Sequence, residues 1–292
     1  MFLTILTPTY NRGKLLKQCY KSLKEQKNLN FEWLIIDDGS NDNTKEIVQG
    51  FIDENILDIK YFYKFNGGKH TALNYGINKA KGEMTIILDS DDFLTNDATQ
   101  TIYEVWQANK MNKELCGIAF HRGYKNGNII GDKFPKDFFI SDYIDCRMNL
   151  EVKGDKSEIY ITEILKQYPF PEFKNEKFIG EHIVWVRMAR KYKTLHVNKI
   201  IYITEYLEGG LTKSGRSMRI KCPLGGMESS KECVDNRFKM KMRLKNMMLY
   251  ICYGFFAKKS IYSIIRESGN SYLAMTALIP SYILYIYWKL KY

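Results

Sequence analysis

Histidine and paired cysteine are what this 292-residue chain has least of: four histidines, six cysteines, no Cys-x-x-Cys pair and no Cys/His cluster. Zinc sites are built from such clusters, so any metal bound here is expected to be oxygen-ligated. Cys19, Cys116, Cys146, Cys222, Cys233 and Cys252 are irregularly spaced in a chain that needs no staples, and they read as free thiols in a reducing compartment. No basic leader or cleavage site precedes the strand-like residues 2–7, which predicts a protein that stays in the cytoplasm. Also missing are internal repeats, low-complexity linkers and the several long apolar spans of a polytopic membrane protein.

What is present is a globular composition, 45% hydrophobic with a mean hydropathy of -0.35, carrying a formal net charge of +11. The charge is unevenly placed. Residues 231–292 hold eleven Lys/Arg against three Asp/Glu, so +8 of the +11 lies in the last fifth of the chain. Such a block suits nucleic acid or anionic lipid. Residues 231–250 have the pattern of a basic helix mixed with Met240, Met242, Leu244, Met247 and Met248. Residues 272–288 carry no charge, are rich in the interface-preferring Tyr272, Tyr282, Tyr285, Tyr287 and Trp288, and are interrupted by Pro280. The aromatics sit apart from the densest basic stretch, so the tail reads as lying on an anionic membrane surface, with no nucleic-acid partner expected. The expected division is a large domain over 1–230, in two parts, 1–110 and 111–230, followed by a helical membrane-associating tail over 231–292.

Strand and helix patterns alternate through the first hundred residues. Residues 2–7, 31–36, 58–63 and 84–88 read as strands; residues 14–26, a segment after Ser40 and residues 70–79 read as helices. That order predicts an α/β fold with a mostly parallel sheet and right-handed crossovers. Beyond it, residues 98–109 predict a helix, 117–121 a strand, Asn126-Gly127 a hairpin turn, and 155–165 another helix.

Each polar motif then falls at the carboxyl end of a strand, where open α/β sheets bind ligands. Thr7-Pro8-Thr9-Tyr10-Asn11-Arg12 follows the first strand, Asp37-Asp38-Gly39-Ser40 the second, Asn66-Gly67-Gly68-Lys69 the third, and Asp89-Ser90-Asp91-Asp92 the fourth. An Asp-rich loop also serves as an ordinary helix cap. Delivered by the apolar Met84-Thr85-Ile86-Ile87-Leu88 and flanked by the other polar loops, these carboxylates are better suited to a hard divalent ion shared with diphosphate oxygens.

The four motifs, together with Ala72-Leu73-Asn74, resemble in order and spacing the signature of inverting glycosyltransferases of family 2, closely over about the first hundred residues. The resemblance implies the GT-A fold, a Rossmann-like nucleotide-diphospho-sugar transferase domain, and a nucleotide-diphosphate sugar donor, often a UDP-sugar. It also implies Mn(II) or Mg(II) and transfer of one sugar with inversion. Thr7, Pro8, Thr9 and Tyr10 would line the nucleoside pocket, Asp38 would accept from the base, and Arg12, Gly68 and Lys69 would lie near the diphosphate. Asp89 and Asp91, ends of a DXD motif, would hold the metal or ribose, with Ser90 and Asp92 beside them. Inverting transfer needs a general base. The counterpart of the family's acidic pair is Glu181-His182, with Glu181 as base and His182 as second candidate. Capping of the following helix is the alternative for Glu181. A glycine-rich bend near Gly209-Gly210 brings Thr212, Lys213 and Arg216 into consideration as a loop closing over the diphosphate. A processive polysaccharide synthase is the competing enzyme reading, but its Gln-x-x-Arg-Trp segment is missing. Similarity to cell-surface polysaccharide transferases implies a lipid-linked or polysaccharide-precursor acceptor, with residues 1–110 as the nucleotide-sugar-binding part and 111–230 as the acceptor part.

Overall fold

The computed structural model describes residues 1–204 and 215–292. Leu3–Thr9 (β1) and Phe31–Asp37 (β2) are buried at every position, as expected of parallel strands covered on both faces. Asp58–Tyr63 (β3) is half-exposed at the sheet edge, and Met84–Ile87 (β4) pairs with the other side of β1. These strands are mutually parallel in the order β3-β2-β1-β4, and their crossovers are the helices Gly13–Lys24 (α1), Thr44–Asp53 (α2) and Lys69–Lys79 (α3).

The sheet continues with strands of mixed direction. Phe93–Leu94 (β5), the helix Ala98–Asn109 (α4), Leu115–Gly123 (β6) and Phe139–Ser141 (β7) lead through a π-helical turn, Ile144–Asn149, to Lys156–Ile161 (β8) and a short helix, Thr162–Leu165 (α5). His182–Ala189 (α6) and Lys193–Ile203 (β9) complete this region. β8 lies antiparallel between β4 and β6, while β9 runs parallel to β6.

The helix expected over 155–165 is therefore mainly a strand, with one helical turn after it. β8 is held by β4 and β6 on its two edges, and this pairing overrides the local pattern. Its Lys156, only 2% exposed, is tolerated because the ammonium donates to the carbonyls of Ile130, Asp132 and Lys153. The Asn126-Gly127 turn is present: Gly127 adopts φ +82° and Tyr124 N–H donates to Asn128 O.

Two cores cover the two sheet faces. Leu3, Ile5, Trp33 and Ile35 pack with Leu16, Leu23 and Val48 of α1 and α2 and with Ile102 of α4. Leu6, Leu34 and Ile36 pack with Leu73 of α3 and with Ile183 and Trp185 of α6.

A third core belongs to the carboxyl-terminal helices: Gly215–Lys221 (α7), Pro223–Lys231 (α8), Met240–Phe256 (α9), Ile261–Glu267 (α10) and Ser271–Lys291 (α11). Met227 of α8, Met247 and Ile251 of α9, Ile264 of α10 and Ala274 and Trp288 of α11 share it. The basic segment is not one helix from Lys231: α8 ends there, and buried Val234 and Phe238 turn the chain before α9 begins. α11 passes through Pro280 without a break.

Candidate active site

The parallel strands end together, and their loops converge from four sides. Asp91 of the acidic run meets the loop after β1 through Arg12, whose guanidinium lies 2.7 Å from Asp91 Oδ2. At the start of α3, the Lys69 ammonium lies 2.5 Å from Asp89 Oδ1 and 2.7 Å from Glu181 Oε1. Arg122, at the end of β6, reaches Asp89 Oδ2 at 3.3 Å and Asp92 Oδ2 at 3.4 Å. Glu181, Lys69, Asp89, Arg122 and Asp92 thus form a continuous chain of alternating charge on the crevice floor.

These groups perturb one another. Burial works against the charge on Lys69, yet the Asp89 and Glu181 carboxylates overcome it and raise the ammonium above its ordinary range. Burial also opposes ionisation of Asp89, and Lys69 and Arg122 hold it well below the usual carboxylate range. Asp92 goes the other way: burial and then the Asp89 charge push it up to about 7 against the pull of Arg122. Arg122 itself stacks on Tyr202 of β9, 4.1 Å from the ring centroid, and the Tyr202 hydroxyl accepts from Asp89 N–H.

Asp38 is fully engaged. Its Oδ1 accepts from Lys64 Nζ and Gly67 N, and its Oδ2 from Asn66 Nδ2 and Gly68 N at 2.7 Å. The carboxylate therefore shapes the loop before Lys69 in this state. Gly68 has φ +95°, and a Cβ there would lie 2.1 Å from Lys177 O, so glycine is required. Lys177 belongs to the strap, residues 170–181, that delivers Glu181; Glu176 in it accepts from Leu224 N and Gly225 N, capping α8.

The remaining sequence candidates divide. Thr9 Oγ1 is buried at the end of β1 without a hydrogen-bond partner among the described residues, and Pro8 and Ser90 are buried nearby. Tyr10 is exposed at the mouth. Thr7 instead faces the core and accepts from Trp33 Nε1. His182 opens α6 next to Glu181, but burial and then Arg219 lower it to about 4, so its ring is neutral near pH 7. Arg216 stacks on Trp288 at 4.1 Å, among the carboxyl-terminal helices. Thr212 and Lys213 lie outside the described residues.

The model of glycosyl transferase family 2 matches residues 4–168, a stretch running from β1 past α5. The chain belongs to that family. This transferase is 28% identical over 231 residues to glycosyltransferase GlyG of Streptococcus pneumoniae, covering 76% of this chain and 74% of that one. A second relative, 28% identical over 248 residues, is the GalNAc(5)-diNAcBac-PP-undecaprenol beta-1,3-glucosyltransferase of Campylobacter jejuni, with 82% and 75% covered. Among solved structures, S. aureus TarS 1-349 in complex with UDP-GlcNAc superposes with a TM-score of 0.66 at 18% identity, over 97% of this chain and 89% of that one. The mannosyltransferase PcManGT from Pyrobaculum calidifontis, in complex with GDP-Man and Mn2+, gives 0.58 at 16% identity, over 97% and 83%. The fold is GT-A, and the chain is a glycosyltransferase.

The donor set of this transferase fits a hard divalent ion only in part-protein form. Among the described residues no group of three His, Cys, Asp or Glu is arranged for a metal. Asp91 Oδ1, however, has no partner among them, and one or two carboxylates completed by donor phosphates and water suffice for Mg(II)-like ions. Arg122 and Tyr202 are the site residues that sequence reasoning missed. Arg122 stands at the end of a buried strand, Ile118-Ala119-Phe120-His121, so the strand-end rule that found Lys69 could have found it.

Proposed function

We propose that this transferase moves one sugar, with inversion, from a UDP-sugar to a lipid-linked or polysaccharide-precursor acceptor at the cytoplasmic face of a membrane. The observation that carries this reading is the Lys69 bridge, which sets Glu181 and Asp89 against a single ammonium and so supports Glu181 as a carboxylate base beside the donor.

Glu181 takes the proton of the acceptor hydroxyl. The acceptor oxygen then forms its bond to the anomeric carbon as the bond to the diphosphate breaks, and the diphosphate leaves with the electron pair. Lys69 holds Glu181 in place, and Lys69 and Arg12 offset the charge growing on the leaving group. A divalent ion held by Asp91 and Asp89 would add Lewis-acid stabilisation of the diphosphate. Thr9, whose hydroxyl has no hydrogen-bond partner among the described residues, and Tyr10 flank the nucleoside.

The acceptor class is supported by the Campylobacter relative, whose name specifies an undecaprenol-PP-linked glycan, and by the +8 charge of residues 231–292, suited to a membrane surface. Thermal-shift measurement against a panel of nucleotide sugars, with and without Mn(II), tests the donor assignment. A UDP-sugar should raise the melting temperature, more so with Mn(II), and Asp91→Ala should remove the Mn(II) increment. A chain unmoved by every nucleotide sugar would refute the reading.

A further inference from the structure

Helix α11 has two apolar sides, and the described residues cover only one of them. Leu273, Ala274, Ala277, Ser281 and Trp288 are buried along its length, against α9 and its neighbours. On the opposite side Tyr272, Ile279, Ile283, Tyr287 and Leu290 are 77%, 74%, 65%, 54% and 83% exposed. Their spacings of three, four and seven residues place them in one stripe on a helix about 31 Å long, and no charge interrupts it before Lys289. Ile261 and Tyr262 of the adjoining α10 are exposed as well.

We infer that this stripe is the surface by which the protein enters one leaflet of an anionic membrane, with α11 lying in the membrane plane rather than crossing it. The inference rests on the membrane association proposed above and names its contact. Charge complementarity selects lipid as the occupant. Residues 257–292 carry Lys258, Lys259, Arg266, Lys289 and Lys291 against Glu267 alone, a basic border that attracts anionic headgroups and repels the same border on a second copy. Tyrosines on the stripe bring rings with a polar tip, which settle at the headgroup boundary.

α11 is long and apolar enough to cross a bilayer. Its covered side argues against crossing: Trp288 is clasped by the Tyr253 ring and the Arg216 guanidinium, and Phe255 packs on Tyr282 and Tyr285. Crossing with that packing intact would carry α9, with Lys241, Arg243 and Lys245, toward the hydrocarbon.

Flotation of the full chain with phosphatidylglycerol/phosphatidylcholine vesicles, followed by alkaline carbonate extraction, tests this. The wild type should float and be released by carbonate. Ile279→Glu/Ile283→Glu should lose about tenfold in vesicle recovery while keeping its melting temperature. Ile283→Trp, which keeps the stripe apolar, should still float, and the fluorescence it adds should be quenched by brominated lipid. If the wild type floats but the glutamate variant floats equally and the added fluorescence is not quenched, the surface is wrong while membrane association stands. A wild type that never floats ends both. Resistance to carbonate would show a span, and a dimer abolished by the glutamate pair, without flotation, would show that a second copy covers the stripe; either result overturns the inference.

Discussion

The Lys69 ammonium stands 2.7 Å from Glu181 Oε1, joining the first residue of α3 to the residue that precedes α6. Residues 112 positions apart are thereby fixed across the crevice, and the same ammonium reaches Asp89. Under the roles proposed for Asp89 and Glu181, binding and chemistry share this one side chain.

Lys69→Ala should leave Asp89 and Glu181 without their common cation. The pair is partly exposed, so the loss is about 1–2 kcal/mol rather than that of a fully buried pair. Steady-state kinetics should show donor KM raised roughly tenfold together with a lower kcat. Lys69→Arg should recover part of the KM effect.

Gly68→Ala should cost about 1 kcal/mol or more in stability, because alanine resists the left-handed backbone and its Cβ would meet Lys177 O. Differential scanning calorimetry should show a lower melting temperature. The donor-induced thermal shift should shrink too, since the clash displaces the loop carrying Lys69.

Most of the strand-end loops that converge at the candidate site were legible in sequence because parallel strands announce themselves. β1, β2 and β4 are apolar runs that stop abruptly at polar loops, and the loops land where an open α/β sheet places its ligands. β8 was not legible. Lys156-Ser157-Glu158 puts two charges in a strand, and the neighbours that make this tolerable, three backbone carbonyls around Lys156, are remote or irregular in sequence. Arg122 was marked by its place at a strand end, but its partners were not legible, because Asp89, Asp92 and Tyr202 become its neighbours only when β6 takes its place beside β8 and β9. The carboxyl-terminal apolar segment was visible by composition, but only packing reveals which side of α11 is covered.

Glu176→Ala should uncap α8 and loosen the strap that carries Glu181, at about 1–2 kcal/mol. Because Glu176 acts through the strap, kcat should fall while donor KM stays within about twofold. Equal changes in both would indicate a general loss of fold.

His182 makes stability depend on pH. Its folded-state value of about 4 lies below the ordinary 6.5, so the unfolded chain binds the extra proton. The stabilisation is complete above about pH 6.5 and is lost as pH falls through about 4, to a limit of about 3 kcal/mol. His196, also lowered to about 4 by burial, adds to the same slope. Urea unfolding at pH 7 and pH 5 should show a smaller difference for His182→Asn than for the wild type, without removing it.

The most direct test concerns Glu181 itself. Single-turnover transfer by Glu181→Gln should fall by about 10²–10⁴-fold, while calorimetric affinity for the UDP-sugar changes by less than about threefold. Near-normal turnover in that variant would contradict the assignment of Glu181 as the base.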